Sequence, residues 1–188
     1  MSIDYRMLPA ADPSVQAEDV ARAIAFVQAP AVEWGGDPAR VVAMGHSAGA
    51  HLVSLLAAAP EIGARMGARP VVATVALDSA ALDVPAIMRE RHLPLYDTAF
   101  GRDAAFWEKV SPADRLTRAP APMLLVCSTR RAASCDQARA FAVRVHAVGG
   151  RADVSEQPLS HMEINHDLGR ANDLTAAVDR FFSDLDLP

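Results

Sequence analysis

The stretch of residues 41–52 constrains the fold more than any other part of the chain. A short apolar run ends at Gly45, Ser47 follows two residues later, and Gly49 opens a run rich in alanine and leucine. This order predicts a strand, a sharp turn and a helix, with the G-x-S-x-G pattern of a nucleophile elbow across the turn. Both glycines are expected to let the strand and the helix approach closely. The serine hydroxyl would then project at a helix N-terminus, where backbone N–H groups can stabilise a developing oxyanion.

Alternating strand and helix patterns extend over the rest of the chain. Apolar, β-branched runs predict strands, and apolar residues at helical spacing predict helices. The predicted strands are 2–9, 40–44, 71–77, 123–127 and 152–157, and the predicted helices begin near residues 13, 48, 135 and 174. We therefore predict one α/β domain over residues 1–188, with a mostly parallel sheet and helices on both faces.

Residues 79–120 interrupt this alternation. Three prolines and a glycine break the stretch into short pieces, and a long stretch without regular elements is usually a lid or a binding insertion. We expect a small cap here. Phe100, Phe106 and Trp107 could line an acyl pocket in it, but packing of the insertion onto the body is favoured.

Composition limits the compartment and the class of partner. The net charge is −5 and no basic block occurs, so nothing indicates binding to nucleic acid or to an anionic membrane. No apolar stretch reaches the length of a bilayer span and the N-terminus has no secretory pattern, which favours the cytoplasm. Cys127 and Cys135 are too few for a disulfide scaffold or a four-ligand zinc site, and reduced thiols are favoured over a local disulfide.

A serine nucleophile needs a base and an acid. The base removes the hydroxyl proton, and the acid holds the base in one tautomer. In α/β-hydrolases the order along the chain is serine, acid, histidine. His161 follows the last predicted strand, where the base is expected, and His166 is the alternative. His46 and His51 flank Ser47 too closely to serve and are expected to pack or to form hydrogen bonds.

Several segments together resemble one family. Residues 45–52, GHSAGAHL, look like the nucleophile motif of α/β-hydrolase esterases of the hormone-sensitive-lipase and arylformamidase-like group. Segments 3–9, 36–41, 100–113 and 159–161 resemble the fourth strand, the lead into the elbow, the cap and the histidine loop of that group. The resemblance implies a serine hydrolase that forms an acyl-enzyme on Ser47 with His161 as the base. Such chemistry needs no metal and no organic cofactor.

The first departure from that group concerns the oxyanion hole and the sheet. Its members carry upstream strands and an H-G-G motif that supplies half of the oxyanion hole, and this sequence shows neither. The N–H of Ala48 is then the one predicted donor, and loss of a donor costs about 100- to 1,000-fold in rate. Without the third strand, either the strand at Ile3 pairs with the elbow strand, or an exposed edge could recruit a second copy. Met1 could also be an internal methionine of a longer protein.

The second departure concerns the acid. The family places it in the loop after Cys127, where Ala132 and Ala133 stand about where a carboxylate is expected. Asp136 is the nearest carboxylate and is the predicted acid. Asp78, at the end of the preceding strand, is the second choice, and a site without an acid is the third possibility.

The expected function is hydrolysis of a small, uncharged carboxylic ester, because nothing basic is placed to bind a charged headgroup. Two alternatives stay open. An arylformamidase-type amidase would use the same residues on a formyl amide. An inactive hydrolase-like domain could instead be retained for binding or for oligomerisation.

Overall fold

The computed structural model describes residues 1–187, and its centre is a four-stranded sheet in the order β1-β2-β3-β4. Every neighbouring pair of strands is parallel. The strands are β1 (Val42–His46), β2 (Ala73–Leu77), β3 (Met123–Ser128) and β4 (Ala152–Gln157). The parallel sheet that the alternating patterns predict is confirmed.

Ten α-helices and one 3₁₀ turn lie among the residues that the structure describes. The helices are α1 (Pro13–Gln28), α2 (Ala48–Ala58), α3 (Pro60–Arg65), α4 (Val84–Arg89), α5 (Pro94–Phe100), α6 (Ala104–Lys109), α7 (Pro112–Arg115), α8 (Ala132–Ala147), α9 (His161–His166) and α10 (Asp173–Ser183), and the 3₁₀ turn is Ala31–Trp34. Within residues 1–187, no helix has both the length and the apolar character that a membrane span requires.

Helices cover both faces of the sheet, as predicted. Side chains alternate between the two faces of a strand, so strands covered on both sides must be apolar throughout. All residues of β2 and β3 are buried accordingly. On one face Leu125 belongs to a cluster with Phe141 of α8, and on the other face Val75 and Leu124 belong to a cluster with Phe181 of α10.

The N-terminal segment does not form the strand predicted over residues 2–9. Ile3 and Tyr5 pack beside an apolar cluster that includes residues of α1, and Arg6 pairs with Asp19 of α1 through two hydrogen bonds of 2.8 Å. A strand needs a neighbour for its backbone groups, and among residues 1–187 β1 has β2 as its one strand neighbour. The other edge of β1 therefore ends the sheet. Pairing of a second copy with this edge stays a prediction.

The segment 79–120 folds into the four short helices α4 to α7 rather than into irregular pieces. Its residues Val84, Phe100 and Val110 are buried in one cluster with Leu52 and Leu55 of α2. Phe106 and Trp107 pack against the same cluster. The aromatic residues of the segment therefore anchor it to the body, which confirms the packing role that the sequence favours.

Candidate active site

Ser47 lies at the sharp turn between β1 and α2. Its backbone angles, φ 57° and ψ −116°, belong to a region that residues with a side chain rarely adopt. Two hydrogen bonds fix the turn: Ser47 N–H donates to the carbonyl of Leu77 at 2.9 Å, and His51 N–H donates to the carbonyl of Ser47 at 3.1 Å. The sequence therefore forms the predicted elbow, and its strained residue is the predicted nucleophile.

The two glycines of the elbow are not equivalent. A Cβ on Gly45 would lie 2.4 Å from the carbonyl carbon and oxygen of Gly49, a distance that real Cβ atoms do not show. A Cβ on Gly49 would meet no atom within 4 Å. The close approach of strand to helix thus requires a glycine at position 45, and the expectation that position 49 also requires one is wrong.

His161 and Asp78 form a hydrogen-bonded chain with Ser47. Nε2 of His161 lies 3.0 Å from Oγ of Ser47, and Nδ1 lies 2.6 Å from Oδ2 of Asp78. His161 opens α9, where Ser160 and Glu163 form a capping box that fixes the start of the helix. The three groups follow β1, β2 and β4, so the carboxyl edge of the parallel sheet brings them together.

Asp136, the predicted acid, lies outside this chain of hydrogen bonds. It sits on α8, its side chain is 68% exposed, and its carboxylate pairs with Arg139 at 2.7 Å. Because α8 already begins at Ala132, residue 136 stands a full turn into the helix and beyond the loop that faces His161. Asp78, the second choice from the sequence, occupies the place beside the imidazole.

The carboxylate of Asp78 is fully buried and well supplied with donors. Its Oδ1 accepts hydrogen bonds from Ser128 N–H at 2.8 Å and from Ser134 Oγ at 2.5 Å. Burial by itself raises the pKa of Asp78, but the hydrogen bonds from Ser134, His161 and Ser128 outweigh burial and hold this pKa below its usual value. Asp78 is therefore ionised at neutral pH.

A disulfide closes the loop that donates two hydrogen bonds to Asp78. Cys127 near the end of β3 is bonded to Cys135 in the first turn of α8, so the expectation of two reduced thiols is wrong. Ser128 and Ser134, two donors to Asp78, lie just inside this loop. The crosslink joins the two ends of the segment on which the buried carboxylate depends.

Arg131 is a residue of the site that the sequence reasoning missed. Its Nη1 lies 2.5 Å from Oδ2 of Asp78 and 2.7 Å from Nδ1 of His161. The sequence signal for it is a pair of adjacent arginines, Arg130 and Arg131, in the loop between β3 and α8. A loop arginine is normally a solvated residue, so its neighbours become visible only in three dimensions.

The other histidines have supporting positions. His46 lies beside His161, with ring centroids 4.3 Å apart, and its Nε2 is 2.8 Å from the carbonyl of His161. His51 is buried, and its Nδ1 is 2.6 Å from the carbonyl of Ala81. These contacts confirm the expected hydrogen-bonding roles of His46 and His51. His166 is exposed at the end of α9.

Ala48 is the first residue of α2 and is exposed. The first N–H groups of a helix have no partner within the helix, so the N–H of Ala48 is available beside the serine. This geometry fits the position in which the sequence predicts an oxyanion donor.

A cavity of about 690 Å³ opens next to Arg131. Tyr96 lines it and stacks on Phe100, with ring centroids 6.0 Å apart and an angle of 15° between the planes. Burial raises the pKa of Tyr96, so its phenol is neutral at physiological pH. The lining of the cavity combines apolar, polar and charged residues: Ala80, Asp83, Ala86, Ile87, Glu90, Arg91, His92, Leu93, Tyr96, Arg131, Ala133, Asp136, Gln137 and Ala140.

Two sequence comparisons match parts of the chain. The family model BD-FAE matches residues 1–70. A probable isoprenylcysteine alpha-carbonyl methylesterase ICMEL1 of Arabidopsis thaliana is 44% identical over 52 residues. That match covers 28% of this chain and 11% of the length of the curated relative.

Solved structures match nearly the whole chain. Esterase 2 of Thermogutta terrifontis is 21% identical with a TM-score of 0.75, and the match covers 97% of this chain and 69% of the other. An acetyl ester-xyloside bifunctional hydrolase of Caldicellulosiruptor lactoaceticus is 18% identical with a TM-score of 0.78, over 97% and 70% of the two chains. Another structure of the Thermogutta esterase, phosphonylated by sarin, has a TM-score of 0.76 at 20% identity, over 97% and 71% of the chains. The likeness shows that the chain has an α/β-hydrolase fold.

Proposed function

We propose that this chain is a serine hydrolase that cleaves small carboxylic esters through an acyl-enzyme on Ser47. The observation that carries the proposal is the hydrogen-bonded chain from Ser47 through His161 to the buried Asp78. The esterases among the structural neighbours, one of them phosphonylated by sarin, support the same class of reaction.

The geometry supports a sequence of proton transfers between Ser47 and His161. As Oγ of Ser47 attacks the ester carbonyl carbon, Nε2 of His161 accepts the hydroxyl proton. The carbonyl oxygen becomes an oxyanion, and the N–H of Ala48 donates a hydrogen bond to it. The carboxylate of Asp78 stabilises the imidazolium that forms.

The two products leave in separate steps. When the tetrahedral intermediate collapses, the C–O bond to the alcohol breaks and the proton on His161 passes to the leaving oxygen. A water molecule then attacks the acyl-enzyme while the same imidazole takes its proton. The acid is released, and the hydroxyl of Ser47 is restored.

The cavity beside Arg131 is the proposed place for one part of a small substrate, because Arg131 lines it and also contacts Asp78 and His161, although Ser47 itself does not line it. Its volume of about 690 Å³ lies within the range of pockets that bind drug-sized molecules. Ile87, Leu93 and Tyr96 offer it apolar surface for an acyl chain or an alcohol. Relative rates on a short-chain aryl ester and on a formyl amide would separate an esterase from an arylformamidase-type amidase.

Covalent labelling tests the proposal. The folded protein is incubated with a fluorophosphonate probe, and the labelled peptide is identified by mass spectrometry. We expect a single label on Ser47, no label in Ser47→Ala, and hydrolysis of p-nitrophenyl acetate by the wild type alone. A folded wild-type protein that takes no label would instead favour the inactive, binding or oligomerising domain.

A further inference from the structure

We propose that Ser134 is a positioning residue of the triad, whose hydroxyl holds the carboxylate of Asp78 so that Oδ2 faces Nδ1 of His161. This inference rests on the proposed function, because Asp78 acts there only through His161. Its basis is that the two carboxylate oxygens of Asp78 have separate sets of donors.

The two oxygens of Asp78 face different parts of the site. Oδ1 accepts hydrogen bonds from Oγ of Ser134 at 2.5 Å and from the N–H of Ser128 at 2.8 Å. Oδ2 lies 2.6 Å from Nδ1 of His161 and 2.5 Å from Nη1 of Arg131. An ionised carboxylate only accepts, so Nδ1 of His161 carries the proton of this hydrogen bond. Nε2 then has a free lone pair for the proton of the nucleophile.

The hydroxyl of Ser134 has one proton and two acceptors near it. Oδ1 of Asp78 is 2.5 Å from Oγ, and the carbonyl oxygen of Ser79 is 3.4 Å from it. The carboxylate is both nearer and charged, so the proton points to Asp78. Because Ser134 is fully buried, bulk water does not compete for this proton.

The disulfide fixes the two donors to Oδ1 relative to each other. Ser128 directly follows Cys127, and Ser134 directly precedes Cys135, so the crosslink joins the sequence neighbours of both donors. Ser134 lies in the first turn of α8, and Ser128 is the last residue of β3. A covalent bond as well as packing thus holds the hydroxyl of Ser134 in place.

The orientation of the carboxylate needs such a restraint. A carboxylate turns about its Cβ–Cγ bond, and this torsion has only broad preferences. In Asp78 such a turn would move Oδ2 out of line with Nδ1 of His161. The guanidinium of Arg131 favours the turn, since a guanidinium can donate to both oxygens of one carboxylate. The hydroxyl of Ser134 opposes the turn, because its buried proton would lose its acceptor.

The same hydrogen bond helps to keep Asp78 ionised. Burial raises the pKa of Asp78, and the hydrogen bond from Ser134 is the largest of the effects that lower this pKa. Without Ser134 the carboxylate would still have donors from Ser128, His161 and Arg131. Loss of the hydroxyl should therefore change chiefly the orientation of Asp78, and its charge at neutral pH much less.

The experiment compares Ser134→Ala with a matched control, Ser54→Ala. Both remove one fully buried hydroxyl, but Oγ of Ser54 has no hydrogen-bond partner among residues 1–187. In Ser134→Ala we expect kcat for p-nitrophenyl acetate to fall about 10- to 100-fold with KM nearly unchanged, because Asp78 stabilises a charge that forms only during the reaction. Ser54→Ala should stay within about threefold of the wild type. Ser134→Thr restores the hydroxyl and should recover most of the rate.

A double-mutant cycle with Asp78→Asn separates positioning from a general structural role. If Ser134 acts through Asp78, adding Ser134→Ala to Asp78→Asn should change the remaining rate less than about threefold. A loss as large as the one that Ser134→Ala causes alone would overturn the inference, because Ser134 would then support the fold independently of the acid.

Two proton signals report on the contact without any turnover. The Nδ1 proton of His161, assigned with His161→Gln, should lie far downfield in the wild type and move upfield in Ser134→Ala. In the wild type the hydroxyl proton of Ser134 should lie downfield of that of Ser54, because a short hydrogen bond to a carboxylate deshields it. This second comparison needs no variant, so a failure of Ser134→Ala to fold does not protect the inference. Equal shifts for the two hydroxyl protons would overturn it.

The outcomes separate this inference from the proposed function. A folded Ser134→Ala with the kcat of the wild type and an unmoved Nδ1 proton would overturn the inference while the ester is still hydrolysed. If no folded protein hydrolyses the ester or takes the fluorophosphonate label, the proposed function fails. The proton signals would then still test whether Ser134 holds Asp78.

Discussion

At the scale of single residues, Asp78 and Asp136 offer a direct test of the acid. Asp78→Asn keeps the shape of the buried side chain but can no longer stabilise an imidazolium, and it favours the wrong tautomer of His161. We expect the rate of ester hydrolysis to fall about 1,000- to 10,000-fold, as in other triads that lose the carboxylate. Steady-state kinetics with p-nitrophenyl acetate measure the effect.

Asp136→Asn is the matched control for that substitution. The carboxylate of Asp136 is 68% exposed and pairs with Arg139, so its loss should change the rate less than about threefold. A large loss in Asp136→Asn together with a small one in Asp78→Asn would return the acid to the position that the sequence predicts.

His51 gives a prediction about pH and stability. Burial lowers the pKa of His51 from 6.5 to about 4 in the folded protein, while the unfolded chain binds a proton near pH 6.5. Between these values the unfolded state binds more protons, so the contribution of His51 to stability is complete above pH 6.5 and is lost as the pH falls toward 4. The loss between pH 7.5 and pH 5 should be about 2 kcal/mol.

Urea unfolding of the wild type and of His51→Gln at pH 7.5 and pH 5 measures the pH-dependent contribution of His51 to stability. The free energy of unfolding of His51→Gln should fall less on acidification, by about the same 2 kcal/mol, whatever its value at pH 7.5. Equal losses in the two proteins would contradict the buried, neutral state of His51.

The residues of the site were predictable from the sequence to different degrees. Ser47 and His161 follow from a local motif and from chain order, and the structure brings them within 3.0 Å. The identity of the acid depends on which strand ends lie close together, and chain order alone leaves both Asp78 and Asp136 as candidates. Arg131 has no local signal of its own, because its effect depends on side-chain positions that no spacing encodes.

At the scale of secondary-structure elements, the junction of β1 and α2 depends on one glycine. Gly45→Ala would place a Cβ 2.4 Å from backbone atoms of Gly49, so strand and helix must separate. We expect this change to lower the free energy of unfolding by about 3 kcal/mol or more. Thermal unfolding followed by circular dichroism measures the loss.

Gly49→Ala is the control within the same five residues. Its new Cβ meets open space, and alanine is the better residue in a helix by about 0.5–1 kcal/mol. The stability of Gly49→Ala should therefore stay the same or rise. A comparable loss in both variants would show that the elbow needs both glycines, as the sequence alone suggests.

Elements that carry their own apolar pattern were predicted well, and elements that depend on a neighbour were not. The strand predicted over residues 123–127 matches β3 to within one residue, because its continuous apolar run is buried between β2 and β4. The pattern of residues 2–9 is equally strand-like, but in the structure Arg6 and Asp19 dock that segment onto α1. A strand pattern thus indicates the capacity to pair and not the presence of a partner.

At the scale of the whole molecule, the question is whether α4 to α7 and the sheet behave as one unit. Met88 and Phe100 from this segment share an apolar cluster with Ala17 of α1 and Leu52 of α2, and Ala113 belongs to the cluster beneath α8. Separating the segment from the body would expose both sets of side chains to water, which the hydrophobic effect disfavours. The segment should therefore unfold together with the body.

The two tryptophans make it possible to measure whether the segment unfolds together with the body. In Trp34→Phe the remaining Trp107 reports on α6 alone, where its Nε1–H donates to the carbonyl of Phe100 at 3.1 Å. Far-ultraviolet circular dichroism reports on all helices and strands. We expect the fluorescence and the circular dichroism of Trp34→Phe to give the same urea midpoint and slope, because coincident transitions indicate one cooperative unit. A fluorescence transition at lower urea would instead show that the segment unfolds before the sheet, as a separate lid would. The aromatic residues around Phe100 would then leave the body while both faces of the sheet stay covered.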